Sequence, residues 1–201
     1  MSTANETGAR PAHRLRGWLL ALAETAALTL ALFVGVETVV AQPYTVEQVS
    51  MEQSLLPGER VVVDKLTPRF EPYRRGDIVV FIEPGTPSTS TPLIKRVIGL
   101  PGDVVELRDG RVVVDGTTLD EPYLYPGQVT LPLTAQTRWQ VPDGTLFVLG
   151  DHREASRDSR WFGPVPLTSI IGRAWLRYWP LDRLEVIAAP SFPPLSGSRG
   201  R

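Results

Sequence analysis

The chain has 201 residues, with 21 Lys and Arg against 22 Asp and Glu, for a formal net charge of −1. That balance leaves no basic footprint for nucleic acid, and the absence of cysteine excludes disulfides, thiolate chemistry and Cys-ligated zinc. The two histidines, His13 and His152, stand far apart and argue against a His-based metal site. With 19 prolines and 17 glycines, the pattern beyond the first forty residues is one of short strands and many turns.

Residues 1–16 are polar, carrying Arg10, Arg14 and Arg16 against Glu6. From Leu15 to Ala41 the chain is largely apolar, with Glu24 and Glu37 the only charges after Arg16, and at about 1.5 Å per residue a helix there is long enough to cross a bilayer. A cleaved signal peptide is a weaker reading, because the apolar region exceeds the usual ~7–15 residues. A buried soluble helix would suit Glu24 better but not the length. The arginines precede the span, so the positive-inside rule puts the N-terminus in the cytoplasm and the remainder outside. Near the cytoplasmic end, Glu24 can snorkel or pair with Arg16. The expected organisation is a cytoplasmic segment over 1–16, a transmembrane anchor over 17–41, an extracytoplasmic domain over 42–188 and a disordered tail over 189–201.

After Gln42 the period changes. Tyr44 to Val49 alternates as a half-buried strand does, Leu56-Pro57-Gly58-Glu59 is a turn, and Arg60 to Lys65 is the next strand. Arg75-Gly76-Asp77 turns into Ile78–Phe81. A Pro/Ser/Thr-rich loop over 83–92 leads to an apolar strand at Leu93–Leu100. Val104–Leu107 and Arg111–Val114 form a hairpin with Asp109-Gly110 at its turn. An irregular stretch follows, and residues 104–143 read as a small lobe inserted in the main sheet. Thr145–Leu149 and Ile170–Trp179 are the last strands. The fold expected is mainly β, an antiparallel sheet domain with a small inserted β lobe behind one N-terminal transmembrane helix.

Three polar blocks stand out against this background. Ser50 lies between the anchor and the strand at Arg60, Lys95 lies inside an apolar strand, and Gly150-Asp151-His152-Arg153 opens a dense charged run. Most serines cap helices or fill turns, so Ser50 is a nucleophile only if a base is in reach. Lys95 and His152 are the two candidates. Burial would push a lysine toward the neutral form that a base requires. Strand alternation puts Lys95 opposite Ile94 but leaves open whether that face is covered. The three blocks together point to a Ser/Lys hydrolase held at a membrane.

The blocks carry a resemblance. Ser50-Met51-Glu52-Gln53-Ser54-Leu55 resembles the Ser-Met-x-Pro-Thr-Leu of bacterial type I signal peptidases. Arg75-Gly76-Asp77-Ile78-Val79 and Lys95-Arg96-Val97-Ile98-Gly99-Leu100-Pro101-Gly102-Asp103 match the second and third motifs of that family. Gly150-Asp151-His152-Arg153-Glu154-Ala155-Ser156-Arg157-Asp158-Ser159-Arg160 is similar to the fourth. Gln53, Ser54 and His152 stand where the family usually has Pro, Thr and Asn. Gln48 replaces a serine that some members use as a second oxyanion donor.

The resemblance implies Ser50 as nucleophile, Lys95 as general base and Ser156 as the hydroxyl that orients the lysine. Asp158 and Arg160 would pair in support of the site, with Asp151 and Arg153 bracing it. The pocket walls would be Val46, Met51, Leu55, Leu93 and Ile94. No metal and no cofactor are expected. The implied partners are secretory preproteins, cleaved after small-x-small sequences, and the lipid bilayer, with no nucleic acid; the expected location is the plasma membrane, single-pass, as a monomer. The runner-up readings are an inactive, membrane-tethered binding module of the same fold and a self-cleaving repressor-type Ser/Lys peptidase; the anchor argues against the latter.

Overall fold

The computed structural model describes residues 10–35 and 40–192, with side chains from Arg16 onward. The stretch 36–39 of the predicted anchor, the start of the predicted cytoplasmic segment and residues 193–201 of the predicted tail lie outside the described residues. The chain divides into two units, Met1–Val40 and Ala41–Arg201.

The first unit is helix α1, Arg10–Gly35. Its Arg16–Gly35 part is long and apolar enough to cross a membrane, and Trp18, Leu22, Leu28 and Leu32 are exposed along it. Its two threonines do not break the apolar surface. Thr25 and Thr29 each turn the hydroxyl back onto the carbonyl four residues earlier, both at 2.8 Å, so neither donor needs a solvent partner.

The second unit is built from two antiparallel sheets. The larger has eight strands. They are β1 (Ala41–Thr45), β2 (Arg60–Asp64), β3 (Ile78–Phe81), β4 (Leu93–Gly99), β9 (Thr145–Leu149), β10 (Val165–Pro166), β11 (Ile170–Trp179) and β12 (Glu185–Val186). Their order is β1-β2-β11-β3-β4-β9-β10, with β12 beside β11. The smaller sheet is β7-β6-β5-β8, made of β5 (Val104–Arg108), β6 (Arg111–Val114), β7 (Thr117–Thr118) and β8 (Arg138–Gln140). It sits in the span that the sequence assigns to the inserted lobe. The fold is therefore mainly antiparallel β behind one apolar N-terminal helix, as the pattern predicts. The β5–β6 hairpin turns at Asp109-Gly110, both with positive φ (51° and 73°), the backbone that a two-residue Asp-Gly loop supplies.

The central strands are covered on both faces, which alternation alone does not reveal. In β3, Ile78 and Val80 pack with Val46, Met51, Leu55, Val61, Val63, Ile94 and Ala174, while Val79 and Phe81 pack on the other side with Val97, Leu146, Val148 and Val165. A third cluster, around Ile98, Val105, Val112, Trp139, Phe147 and Leu149, joins β4 and β9 to the small sheet. From Ile94 to Gly99, β4 is buried at every position. A charged residue in it has no solvated face to use.

The structure departs from the expected strand at Tyr44–Val49. The ladder ends at Thr45, Val46 keeps one main-chain link to each of Gly58 and Glu59, and Val49–Met51 winds into a single 3-10 turn. Val46 and Met51 both belong to the same core cluster. Five residues apart, they would point to opposite faces of a continuous strand, and the turn is what lets both be buried.

Candidate active site

Ser50 sits inside that turn, 3% exposed, and Lys95 reaches it from the middle of β4, 1% exposed. Lys95 Nζ donates to Ser50 Oγ at 2.7 Å and to its neighbour's carbonyl, Ile94 O, at 3.0 Å. Across the ladder Lys95 faces Val79, which is fully buried. Burial pulls the amine down from 10.5 to about 8, against the weaker opposing pull of the carboxylates of Asp158, Asp151 and Glu83. About a tenth of the amine is then neutral at pH 7. The arrangement is a hydroxyl and a readily deprotonated amine in contact inside a dry pocket, the parts that acyl transfer by serine needs.

The Gly150–Arg160 segment folds over this pair. His152 N–H donates to Ser50 O at 2.9 Å. A Cβ on Gly150 would stand 2.2 Å from Ser156 Oγ and 2.6 Å from Ser50 O, so only glycine lets the segment lie this close to the Ser50 turn. Asp158 accepts Gly150 N–H at 3.1 Å and caps the short helix α2, Ser159–Phe162. It also holds Arg160 through two contacts of 2.8 Å, with both partners buried. Arg160 in turn donates to the carbonyl of Arg153 at 2.7 Å. Arg153 donates to Gly150 O at 3.0 Å and pairs with Glu121 at 2.5 Å and with Thr130.

Ser156 and His152 stand apart from this contact. Ser156 is buried, but its hydroxyl has no hydrogen-bond partner among the described residues; the lysine donates to Ser50 and Ile94 instead. His152, the other candidate base, turns its Nδ1 to 3.0 Å from Glu52 Oε2 and its ring edge toward Tyr125.

A groove of about 290 Å³ is lined by residues 43–48 from the end of β1 onward and by Val61, Val80 and Thr91–Ile94, so its walls end one residue before Lys95 and two before Ser50 in sequence. Val46, Leu93 and Ile94 of the expected pocket line it, and so does Gln48. Met51 is fully buried in the core beneath, and Leu55 faces a separate cavity shared with Arg96 and Arg177.

A buried arginine that the sequence pattern did not single out completes the site. Arg96, the neighbour of Lys95, is buried and grips Asp151 through Nε (2.9 Å) and a terminal nitrogen (2.6 Å). Ser54 Oγ donates to Asp151 at 2.5 Å and accepts from Arg96 at 2.9 Å. Two consecutive cations in an otherwise apolar strand were the available signal, since alternation cannot expose both.

A buried serine in contact with a buried amine, carried on an antiparallel β unit, is the equipment of a serine hydrolase. The particular family follows from comparison with known proteins. The family model described as "Signal peptidase, peptidase S26" matches residues 18–179. A signal peptidase I of Leptolyngbya laminosa is 38% identical over 175 residues, covering 83% of each chain. A signal peptidase I of Bacillus caldolyticus is 39% identical over 178 residues, 83% of this chain and 90% of that one. A signal peptidase I from Enterococcus faecalis V583, solved as a crystal structure, is 34% identical and aligns over 51% of this chain and 97% of that one at a TM-score of 0.42. The chain belongs to the signal peptidase family, peptidase S26, and is a serine peptidase.

Proposed function

We propose that this protein removes signal peptides from secretory preproteins with Ser50 as nucleophile and Lys95 as general base. The observation that carries the reading is the 2.7 Å contact between Lys95 Nζ and Ser50 Oγ in a site that lowers the lysine to about 8. Neutral Lys95 takes the Ser50 proton as Oγ bonds to the scissile carbonyl carbon. The oxyanion forms next to the Ser50 main-chain N–H. The lysinium then passes its proton to the leaving amine as the peptide bond breaks, leaving an acyl-enzyme. Water, deprotonated by the same amine, attacks the ester and restores both groups.

The groove bounded by Val46, Leu93 and Ile94 suits an extended peptide, its main chain alongside residues 43–48 and a small side chain seated between the apolar walls. Met51 and Leu55 support those walls from within the core. Ser156 serves the lysine after a rotation of its free hydroxyl, while Asp158–Arg160, Asp151 and Arg153 brace the segment above the pair. Helix α1 tethers the protein to the plasma membrane with its N-terminus in the cytoplasm, and the β domain works outside.

The test is Ser50→Ala in detergent-solubilised protein with a preprotein substrate. Binding should persist and cleavage should vanish; cleavage at a near wild-type rate would exclude Ser50. For the topology, protease added outside spheroplasts should digest the β domain, and its protection would reverse the orientation.

A further inference from the structure

We propose that Arg177, on β11, is a positioning residue that clamps the chain just after the nucleophile turn and keeps Ser50 aimed at Lys95. The inference rests on the reading of Ser50 as nucleophile.

The turn itself is weak. It is a three-residue 3-10 segment, and Gln48 at its start provides no side-chain cap. Beyond it, Ser54 N–H and Leu55 N–H both donate back to Met51 O, at 2.8 and 2.7 Å. The Ser54 carbonyl accepts from the Arg177 guanidinium at 3.0 Å. Arg177 is 6% exposed, and each nitrogen of its fork is committed. Nε donates to Arg183 O at 2.7 Å, one terminal nitrogen to Ser54 O and to Glu59 at 3.4 Å, the other to Glu185 at 2.5 Å.

Glu59 closes the far end of the same loop. It accepts Leu56 N–H at 3.0 Å and pairs with Arg183. The guanidinium therefore joins β11, β12 and the loop from Ser54 to Glu59, and β11 is itself fixed by its ladder to β2, with Arg177 opposite Val61. A rigid, planar donor set is what this geometry uses. A lysine keeps the charge that Glu59 needs but cannot reach these acceptors together. Any drift of Ser54 travels through two main-chain bonds to Met51, the residue after the nucleophile.

The experiment uses full-length protein in detergent and a peptide spanning a signal-peptide cleavage site. Arg177→Lys should lower kcat by about tenfold or more through lost alignment, with KM changed by less than about twofold and the acid limb of the pH profile unmoved. Hydrogen exchange at the Ser54 and Leu55 amides should quicken while that of β9 stays unchanged. If Arg177→Lys does not fold, Glu185→Gln, which frees one end of the fork, should give the same pattern at smaller size. A wild-type kcat in a folded variant, or a lost kcat without faster exchange at Ser54 and Leu55, overturns the clamp. Activity in Ser50→Ala overturns the nucleophile reading instead, so the two failures are distinguishable.

Discussion

Lys95 is carried by a strand and Ser50 by a turn, and the two supports differ in kind. Lys95 is anchored by main-chain ladders to β3 on one side and by the pairing of its neighbour Arg96 with Leu149 of β9 on the other, within a strand buried on both faces. Ser50 has three residues of 3-10 structure and depends on groups arriving from elsewhere: the side chains of Asp151 and Arg96 at Ser54, the Arg177 side chain at the Ser54 carbonyl, and the His152 main-chain N–H at its own carbonyl. Lys95 thus owes its position to the sheet, whereas Ser50 owes its position to buried charge networks and one main-chain contact. Substitutions at Lys95 should alter chemistry while sparing the fold. Substitutions in the networks should alter both.

The largest effect should come from the chemistry. Lys95→Arg keeps the charge and much of the length, but arginine does not deprotonate in proteins. Cleavage should fall by about 10³-fold or more, in the range of lost general-base catalysis and beyond. Single-turnover rates check this, and circular dichroism should show an intact β fold. A variant as fast as wild type would move the base to another residue, with His152 next in line.

Next comes the network side. Asp158 and Arg160 are 0% and 1% exposed at their side chains, so Asp158→Ala leaves an arginine with its partner carboxylate gone. Breaking one side of such a pair costs about 3–5 kcal/mol, and the lost cap on α2 and the lost Gly150 contact add to it. Denaturant unfolding should show this loss, and activity should fall with it.

The comparison sharpens at Lys95→Met. A drop in pKa from 10.5 to about 8 means the folded protein holds the ammonium at a cost of about 3 kcal/mol. Below pH 8 both folded and unfolded chains are protonated, so the full cost is present. Between about 8 and 10.5 the unfolded chain binds more protons than the folded one, and wild-type stability rises with pH. Lys95→Met should therefore be inactive yet more stable near neutral pH by up to about 3 kcal/mol, an advantage that shrinks as pH passes through that window. Unfolding curves of both proteins at pH 7 and pH 10 test it. The same group sets the pH profile of kcat/KM in wild type, which should rise along an acid limb centred near 8.

The two supports also differ in how far they could be read from the sequence. The β4 strand, the Asp109-Gly110 hairpin and the long last strand β11 follow from apolar runs and turn residues, and the structure has each of them. That Lys95 lies in such a strand was visible; that both faces were covered was not, because alternation reports only relative direction. The nucleophile turn was misread as a continuing strand up to Val49. Its cause is tertiary: Val46 and Met51 share one core cluster. The networks were the least legible part. Arg96 left one trace, a second cation beside Lys95, but Glu59 and Arg177 look like ordinary surface polar residues, and the contacts that bury them span 118 and 123 positions.

The smallest expected effect isolates one strut of the nucleophile's support. Ser54 lies four residues beyond Ser50, close enough in sequence for a hydroxyl there to be considered as a donor to the oxyanion. In the structure its proton goes to Asp151 at 2.5 Å, and its oxygen accepts from Arg96 at 2.9 Å. A hydroxyl has one proton to give, so it has none left for a transition state. Ser54→Ala should then cost only the net worth of a hydrogen bond, about 1 kcal/mol of stability, partly offset because Arg96 and Asp151 keep their own two-point contact. The kcat should fall by less than about tenfold, against the ~10²–10³-fold that follows removal of an oxyanion donor. Ser54→Thr, which restores the hydroxyl, should recover the stability. A loss of about 10²-fold in kcat with stability unchanged would show that the proton leaves Asp151 during turnover, and that Ser54 serves the oxyanion as well as the turn.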